Sequence, residues 1–182
     1  MYDLAKIITL FKNGAIIAYP TEGVFGLGCD PLNESAVNKL LTLKQRPIEK
    51  GLIVIAAHWQ QLADWMAPLS LEQQARIDAE YDHPITWLVP ASEKVPAWIR
   101  GQYTKVALRV TQHPVAREIC LAFGGPIVST SANISNQAPC LNYQAAYEQF
   151  AEEIAYIIDA PTLGLDKPSE IRDVVSGEVL RV

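Results

Sequence analysis

The sequence predicts an α/β fold (α+β-like) in which a mixed β-sheet is flanked by helices. Helical and strand-like patterns alternate along the 182 residues, which is typical of layered sheet-and-helix domains. Several strand-like runs are apolar at every position, as expected of strands that are covered on both faces. The chain ends in two strand-like runs around Ser176 and Gly177 that predict a hairpin. We therefore expect antiparallel as well as parallel strand pairs.

Helices and strands are expected in turn along the first half of the chain. Apolar residues at helical spacing indicate an amphipathic helix over residues 4–11. The further elements predicted here are a strand at 15–19, a helix from its cap Asn33 to about Lys44, a strand at 51–57, a helix after its cap Ser70 and a strand at 85–89.

The second half continues the same alternation. Its predicted elements are a strand at 105–110, a helix at 113–123 with Pro114 in its first turn, a strand at 126–130, a helix at 143–153, a strand at 155–159 and the terminal hairpin. No internal repeat or linker pattern interrupts this series, so we predict one domain over residues 1–182.

The bulk composition limits the possible functions. The formal net charge is −5, which argues against a surface that is basic throughout but leaves a local basic cleft open. No apolar run approaches the roughly 18 residues of a membrane span. The three cysteines are far apart in the sequence, and the first helix does not resemble a signal peptide. These features predict a cytoplasmic protein.

A glycine-rich stretch, "PTEGVFGLGCD", follows the first predicted strand. Its glycine spacing matches neither of the two standard nucleotide-binding motifs, and a simple glycine-rich turn explains it equally well. Thr21 and Glu22 lie directly after the strand, where α/β sheets usually place ligand contacts.

Basic side chains occur in two unusual places. Lys44, Arg46 and Lys50 lie within seven positions on a loop that contains Pro47, which indicates either a solvated loop or a site for a triphosphate. Arg109 lies inside an apolar strand, so it is expected to form either a structural ion pair or a contact with a carboxylate or phosphate.

Hydroxyl and amide side chains cluster at the end of a later strand, in "PIVSTSANIS". Such clusters commonly cap turns and helices. However, Ser129 and Ser131 share the same face of the strand, and Asn133 adds both a donor and an acceptor. From these residues alone, a turn and a ligand site remain equally plausible. The three histidines are isolated, so a metal site formed by protein side chains alone is not expected.

The order and separation of five motifs carry a more specific signal. "AIIAYPTEGVFGLGCDP", "LKQRPIEKGLIVIAA", "VALRVTQHP", "PIVSTSANIS" and "PSEIRD" follow one another along the chain. In this arrangement the chain closely resembles the YrdC-like family of threonylcarbamoyl-AMP synthases over essentially its whole length. The resemblance implies a YrdC-like fold, with a twisted mixed sheet and helices around a concave basic cleft.

The resemblance also implies an activity. Enzymes of this family condense L-threonine, bicarbonate and ATP to threonylcarbamoyl-AMP and pyrophosphate, as nucleotidyltransferases. A threonylcarbamoyl-transfer complex then modifies adenosine 37 of tRNA. We expect Mg²⁺ to accompany ATP, held mainly by phosphate oxygens and water rather than by protein side chains.

Residue roles follow from the resemblance, and the motif K-x-R…S-x-N corresponds to Lys44, Arg46, Ser131 and Asn133. Lys44 and Arg46 are the expected catalytic residues. The expected threonine or carbamate contacts are Thr21, Arg109, Ser131 and Ser169. The expected nucleotide contacts are Lys44, Arg46, Lys50, Asn133 and Arg181.

Two departures and two alternatives accompany the resemblance. "YDHPITWLVP" lacks the glycine expected in the turn before the middle strand, and the chain resembles the short form without an additional C-terminal domain.

The main alternative is an RNA-binding or ribosome-maturation factor that uses the same basic cleft. Its candidate contacts are Lys44, Arg46, Lys50, Arg100, Lys105, Arg109 and Arg117. The second alternative function is that of a transferase or hydrolase module that uses carbamoyl phosphate.

Overall fold

A single mixed sheet organises the computed structural model, which describes residues 2–165 and 168–181. In those residues it has nine strands: β1 Ile17–Pro20, β2 Phe25–Gly28, β3 Ile53–Ala56, β4 Ile85–Pro90, β5 Lys105–Val110, β6 Ile127–Ser131, β7 Tyr156–Ile157, β8 Glu170–Asp173 and β9 Val179–Arg181. Their order across the sheet is β7-β1-β2-β6-β3-β5-β4-β8-β9. Three neighbouring pairs are parallel (β7–β1, β3–β5 and β4–β8) and the others are antiparallel, which confirms the mixed sheet.

Six α-helices occur in the described residues, and four of them begin at a residue whose side chain caps the helix. They are α1 Leu4–Lys12, α2 Glu34–Leu43, α3 Leu71–Asp78, α4 Ala97–Arg100, α5 Pro114–Phe123 and α6 Tyr143–Phe150. The side chain of Asn33 accepts a hydrogen bond from Ala36 N at the start of α2. Ser70 and Gln73 form a reciprocal capping box on α3. No helix among the described residues is long and apolar enough to cross a membrane.

The sheet buries a separate apolar cluster on each face because successive side chains of a strand point in opposite directions. On one face, Ile55 of β3 and Ile127 of β6 pack with residues of α1 and α5. On the other, Val54 and Val128 belong to the larger cluster, which includes residues of α2 and α6. Helices therefore cover both faces.

One part of the α1/α5 face is not covered by a helix in the described residues. It carries Ile53 of β3, Ala107 and Arg109 of β5 and Ser129 of β6, and all four line cavities. Register explains why they share a face, since Ile53 pairs with both Ala107 and Ser129. This uncovered surface, called the cleft below, is where the predicted site residues converge.

β2 is the strand that the sequence analysis missed. The glycine-rich stretch forms a β-hairpin with β1, rather than only a turn. Gly28 has a packing role there, because a Cβ atom at this position would lie 2.5 Å from Val128 O and 2.7 Å from a ring carbon of Tyr19. The glycine therefore allows Tyr19 to donate its hydroxyl proton to Val128 O across the sheet.

Candidate active site

The larger of two adjoining cavities in the cleft has a volume of about 590 Å³. Its lining brings together side chains from β2, β5, β6 and the segment before β8. The predicted site residues that line it are Thr21, Arg46, Arg109, Ser131, Ser169 and Arg181. Pro84 also lines it, so the loop that lacks the expected glycine contributes to the site.

The second cavity, of about 420 Å³, is more basic. Its cationic residues are Arg46, Lys50, Arg100, Lys105 and Arg181. Tyr103 and several aliphatic side chains complete the lining. Arg46, Ile53 and Arg181 line both cavities, so two arginines and one apolar side chain mark the boundary between them.

Arg109 lines the larger cavity and not the second. Its side chain is nearly buried, and Nη2 lies 3.5 Å from Oε2 of Glu22. The Nε atom of Arg109 is buried without a hydrogen-bond partner in the described residues. Burial alone would raise the pKa of the Glu22 carboxyl, but Arg109, the Thr111 hydroxyl and backbone N–H groups together lower it. Glu22 is therefore an anion beside the guanidinium.

Thr21 lies at the turn between β1 and β2. Its hydroxyl donates to Val24 O at 2.6 Å, which leaves the oxygen lone pairs able to accept a further hydrogen bond. The segment of residues 161–165 crosses this turn, with Leu163 N bonded to Thr21 O and Leu165 N bonded to Glu22 O. His113 Nε2 lies 3.0 Å from Pro161 O and holds the start of this segment.

Ser169 joins the two cavities through Arg181. Its hydroxyl shares a hydrogen bond of 2.8 Å with Thr86, and its backbone carbonyl accepts from Arg181 Nη2 at 2.7 Å. Thr86 is fully buried on β4. Burial, with the nearby Arg109 second, lowers the pKa of Arg181. The predicted amino-acid contact and the predicted nucleotide contact are therefore neighbours.

Lys44 holds the loop after β6 and does not line either cavity. Its ammonium group donates to Ser131 O, to Asn133 O at 2.8 Å and to Asn133 Oδ1 at 3.0 Å. These bonds use all three of its donors, and its side chain is buried. Burial, with Arg46 second, lowers the pKa of Lys44 to about 8. Direct contact between Lys44 and a triphosphate stays a prediction.

Asn133 is likewise occupied within the loop. Its Oδ1 also accepts from the Ser131 hydroxyl at 2.6 Å, and its Nδ2 donates to Gln137 O at 2.8 Å. It is absent from the lining of both cavities, so its predicted contact with a nucleotide is not tested. Ser131 differs, because it lines the larger cavity.

Arg46 and Lys50 lie on the loop between α2 and β3. Arg46 Nη2 donates to Gly51 O at 2.8 Å, which directs the guanidinium toward the boundary of the cavities. Gly51 has a φ of +62°, a conformation that glycine adopts readily. Lys50 is exposed and lines the second cavity alone.

The sequence placed Glu22 where ligand contacts usually occur but gave it no specific role, and it gave no site role to Thr86, Thr111 or His113. Each is buried and polar, and a buried polar side chain inside or beside a strand is the signal that could have identified it. No group of three or more His, Cys, Asp or Glu side chains that could hold a metal ion occurs within residues 2–165 and 168–181.

Comparisons with known proteins agree over nearly the whole chain. The Sua5/YciO/YrdC family model, described as telomere recombination, matches residues 9–182. A relative from Vibrio parahaemolyticus named threonylcarbamoyl-AMP synthase is 46% identical over 183 aligned positions, covering 100% of this chain and 99% of the relative.

Two solved structures have the same fold. The crystal structure of P. abyssi Sua5 complexed with L-threonine superposes with a TM-score of 0.87 at 30% identity, over 93% of this chain and 50% of that chain. This chain thus spans about half of that protein. E. coli YciO superposes with a TM-score of 0.81 at 17% identity, over 98% of this chain and 87% of that chain.

Proposed function

The chain belongs to the Sua5/YciO/YrdC family, and we propose that it is a threonylcarbamoyl-AMP synthase. The observation that carries this proposal is the pair of cavities that share Arg46 and Arg181. One cavity offers a buried arginine with hydroxyl groups, which suits a small amino acid. The other offers a cluster of cations, which suits phosphates. The fold and the full-length relatives support the same activity.

The reaction joins the two kinds of ligand at the boundary of the cavities. The amine nitrogen of threonine bonds to the bicarbonate carbon, water leaves, and a carbamate forms. A carbamate oxygen then attacks the α-phosphorus of ATP, and pyrophosphate leaves. Because both reactants are anions, the site must offset their repulsion with fixed positive charge. Arg46 and Arg181 are placed to supply that charge.

The amino acid occupies the larger cavity in this proposal. Arg109 binds its carboxylate, as a guanidinium with unused N–H donors can. The hydroxyl, amine or carbamate groups bind to Thr21, Ser131 and Ser169, because all three of these hydroxyl-bearing residues line the same cavity. Holding the amine close to the bicarbonate carbon assists the reaction in addition to the fixed positive charge, since proximity converts an encounter into an intramolecular step.

The nucleotide occupies the boundary and the basic cavity. Arg46, Lys50 and Arg181 contact the phosphates, while Lys44 and Asn133 shape the loop that carries Ser131. Mg²⁺ would bind phosphate oxygens and water and neutralise part of their charge. The residues present fit this arrangement, because Glu22, the one carboxylate that lines the larger cavity within residues 2–165 and 168–181, is already paired with Arg109.

The product is a reactive mixed anhydride, so a transfer step must follow. We propose that a tRNA-modifying complex receives the threonylcarbamoyl group and that the enzyme acts in the cytoplasm. An RNA-binding factor that uses the same cleft is the alternative, and the named relatives do not favour it. RNA contact during transfer is compatible with the cations around the second cavity.

A radiolabelled ATP assay tests the function. The purified chain is incubated with Mg²⁺, bicarbonate and α-labelled ATP, with and without L-threonine. We expect pyrophosphate release and a labelled AMP adduct that both require threonine. ATP turnover indifferent to threonine, or tight salt-dependent tRNA binding without any adduct, would overturn the proposal.

A further inference from the structure

A single carboxylate lies among many cations in the cleft. Within the described residues, Glu22 is the one acidic residue that lines either cavity. The cationic residues of the two linings are Arg46, Lys50, Arg100, Lys105, Arg109 and Arg181. A site that binds a triphosphate, a carboxylate and bicarbonate gains nothing from a general negative charge, so the placement of Glu22 needs a specific explanation.

The surroundings of Glu22 fix its orientation. Oε1 accepts hydrogen bonds from Thr111 Oγ1 at 2.7 Å and from Gln112 N at 2.8 Å. Its backbone carbonyl accepts from Leu165 N at 3.1 Å. Only 2% of the residue is exposed. The side chain is therefore held from two sides and cannot turn into the cavity to meet a ligand directly.

The free oxygen of Glu22 faces Arg109. Oε2 is buried without a hydrogen-bond partner in residues 2–165 and 168–181, and it lies 3.5 Å from Arg109 Nη2. Arg109 Nε is equally unpartnered. A buried guanidinium normally binds carboxylates through two parallel hydrogen bonds. Here the contact is loose and leaves N–H donors of Arg109 unused.

We propose that Glu22 is a positioning residue that orients Arg109 and reserves it for the carboxylate of the amino acid rather than for phosphate. The inference rests on the proposed function. The negative charge of Glu22 offsets part of the attraction between Arg109 and an anion, so a polyphosphate gains less by binding at Arg109 than at an arginine without such a partner. A zwitterionic amino acid still gains directional hydrogen bonds there, and its ammonium group is not repelled.

This arrangement sorts two anions within one continuous cleft. Arg46 and Arg181, at the boundary, have no such carboxylate among the described lining residues, so phosphates are held there. The carboxylate of threonine then binds at Arg109. Correct sorting matters because a polyphosphate bound at Arg109 would occupy the space in which the carbamate must form.

Binding measurements with three variants test the inference. Isothermal titration calorimetry gives the Kd of L-threonine and of sodium tripolyphosphate for the full chain, for Glu22→Gln, for Arg109→Gln and for the double variant. We expect Glu22→Gln to weaken threonine binding by about tenfold or more, since misplacing one binding group has effects of that size. The same change should strengthen tripolyphosphate binding by about fivefold or more, and tripolyphosphate should then compete with threonine.

The double variant separates positioning from general loosening of the fold. If Glu22 acts through Arg109, the threonine affinity of the double variant equals that of Arg109→Gln, because effects in one pathway do not add. Additive losses would overturn the inference. Thr111→Val is the matched control, since it removes a hydrogen bond to Glu22 without removing charge. It should leave tripolyphosphate affinity unchanged.

The remaining outcomes distinguish the two proposals. Wild-type threonine affinity in Glu22→Gln, with the adduct still formed by the wild type, overturns this inference alone. Failure of the wild-type chain to bind L-threonine with or without ATP overturns the proposed function and this inference together. Thermal unfolding of each variant shows whether it is folded, so that a lost affinity is assigned to the site.

Discussion

The ammonium nitrogen of Lys44 lies 3.0 Å from Oδ1 of Asn133, and it also donates to two backbone carbonyls of the same loop. Two members of the motif K-x-R…S-x-N are therefore bonded to each other rather than directed together at the cavities. Lys44 fixes the loop, and the loop places Ser131 on the larger cavity. The motif therefore combines two residues that hold the loop, Lys44 and Asn133, with two that line the larger cavity, Arg46 and Ser131.

Replacing Lys44 should therefore reduce both stability and activity. Lys44→Met keeps much of the side-chain volume but leaves three oxygen acceptors without their cation. We expect a loss of about 2 kcal/mol in the free energy of unfolding, faster amide exchange at Ala132 and Ser135, and loss of the AMP adduct. Urea unfolding, hydrogen exchange and the labelled-ATP assay measure these effects.

Unchanged amide exchange around residues 131–137 in Lys44→Met would contradict the loop-holding role. The matched variant is Lys94→Met, because the ammonium of Lys94 forms an exposed ion pair with Asp64 at 2.9 Å. Exposed pairs contribute little to stability, so the control variant should unfold as the wild type does.

Replacing Arg46, unlike replacing Lys44, should reduce activity without reducing stability. It lines both cavities and is only partly buried, so Arg46→Ala removes a cation from the boundary with little loss of packing. We expect adduct formation to fall by about a hundredfold or more, as for other removed charge-stabilising groups, with an unchanged unfolding midpoint. Steady-state kinetics and thermal unfolding measure the two quantities. A large drop in stability would show that Arg46 is structural.

Thr86 is expected to act on threonine binding through Ser169. Thr86→Val keeps the shape of the side chain and removes the hydroxyl that bonds to Ser169 Oγ at 2.8 Å. The freed Ser169 hydroxyl can rotate, so the KM for threonine should rise by about fivefold, equivalent to the loss of one hydrogen bond. The KM for ATP serves as the internal control. An equal rise in both constants would contradict a local effect on the amino-acid cavity.

The sequence predicted most strands and helices because their signals are local. Asn33 and Ser70 cap helices as predicted, and β5 has the predicted bounds Lys105–Val110. β2 was missed because its residues Phe25–Gly28 include two glycines, which are unfavourable in an isolated strand. Its stability depends on the two neighbouring strands, and pairing between distant segments is not visible in a local pattern.

Only part of the candidate site could be predicted from the sequence. The family resemblance predicted contacts at Thr21, Arg109 and Ser169, and all three line the larger cavity. It could not reveal that Lys44 is saturated with hydrogen bonds, since its acceptors lie 87 and 89 positions away. Nor could it reveal the pairing of Glu22 with Arg109, which the sheet brings together across the cleft.

The two glycines of β2 should respond differently to an added methyl group. A Cβ at Gly28 would lie 2.5 Å from Val128 O, whereas at Gly26 the nearest atom, Thr21 Cγ2, is 3.2 Å away. Gly28→Ala should lose about 3 kcal/mol of unfolding free energy through overpacking. Gly26→Ala should mainly weaken threonine binding, because Gly26 lines the larger cavity. Chemical unfolding and calorimetry distinguish the two variants, and similar stability for both would contradict the packing role of Gly28.

The carboxylate of Glu22 should also give the protein a specific acid sensitivity. Its pKa is lower in the folded chain than its ordinary value, which is about 4.3 in an unfolded chain. A lowered folded-state pKa means that the ionised group stabilises the fold above that ordinary value, and that this stabilisation is lost as the pH falls through the folded-state pKa.

Glu22→Gln should therefore be less stable than the wild type near pH 7, by about 3 kcal/mol for an uncompensated buried partner. The difference should begin to shrink below about pH 4, because the unfolded chain then takes up a proton at Glu22 that the folded chain does not, and it should vanish only below the lowered folded-state pKa. Urea unfolding of both proteins from pH 7.5 to 3.5 measures the difference, and a gap that stays constant or widens on acidification would show that Glu22 does not stabilise the fold through its charge.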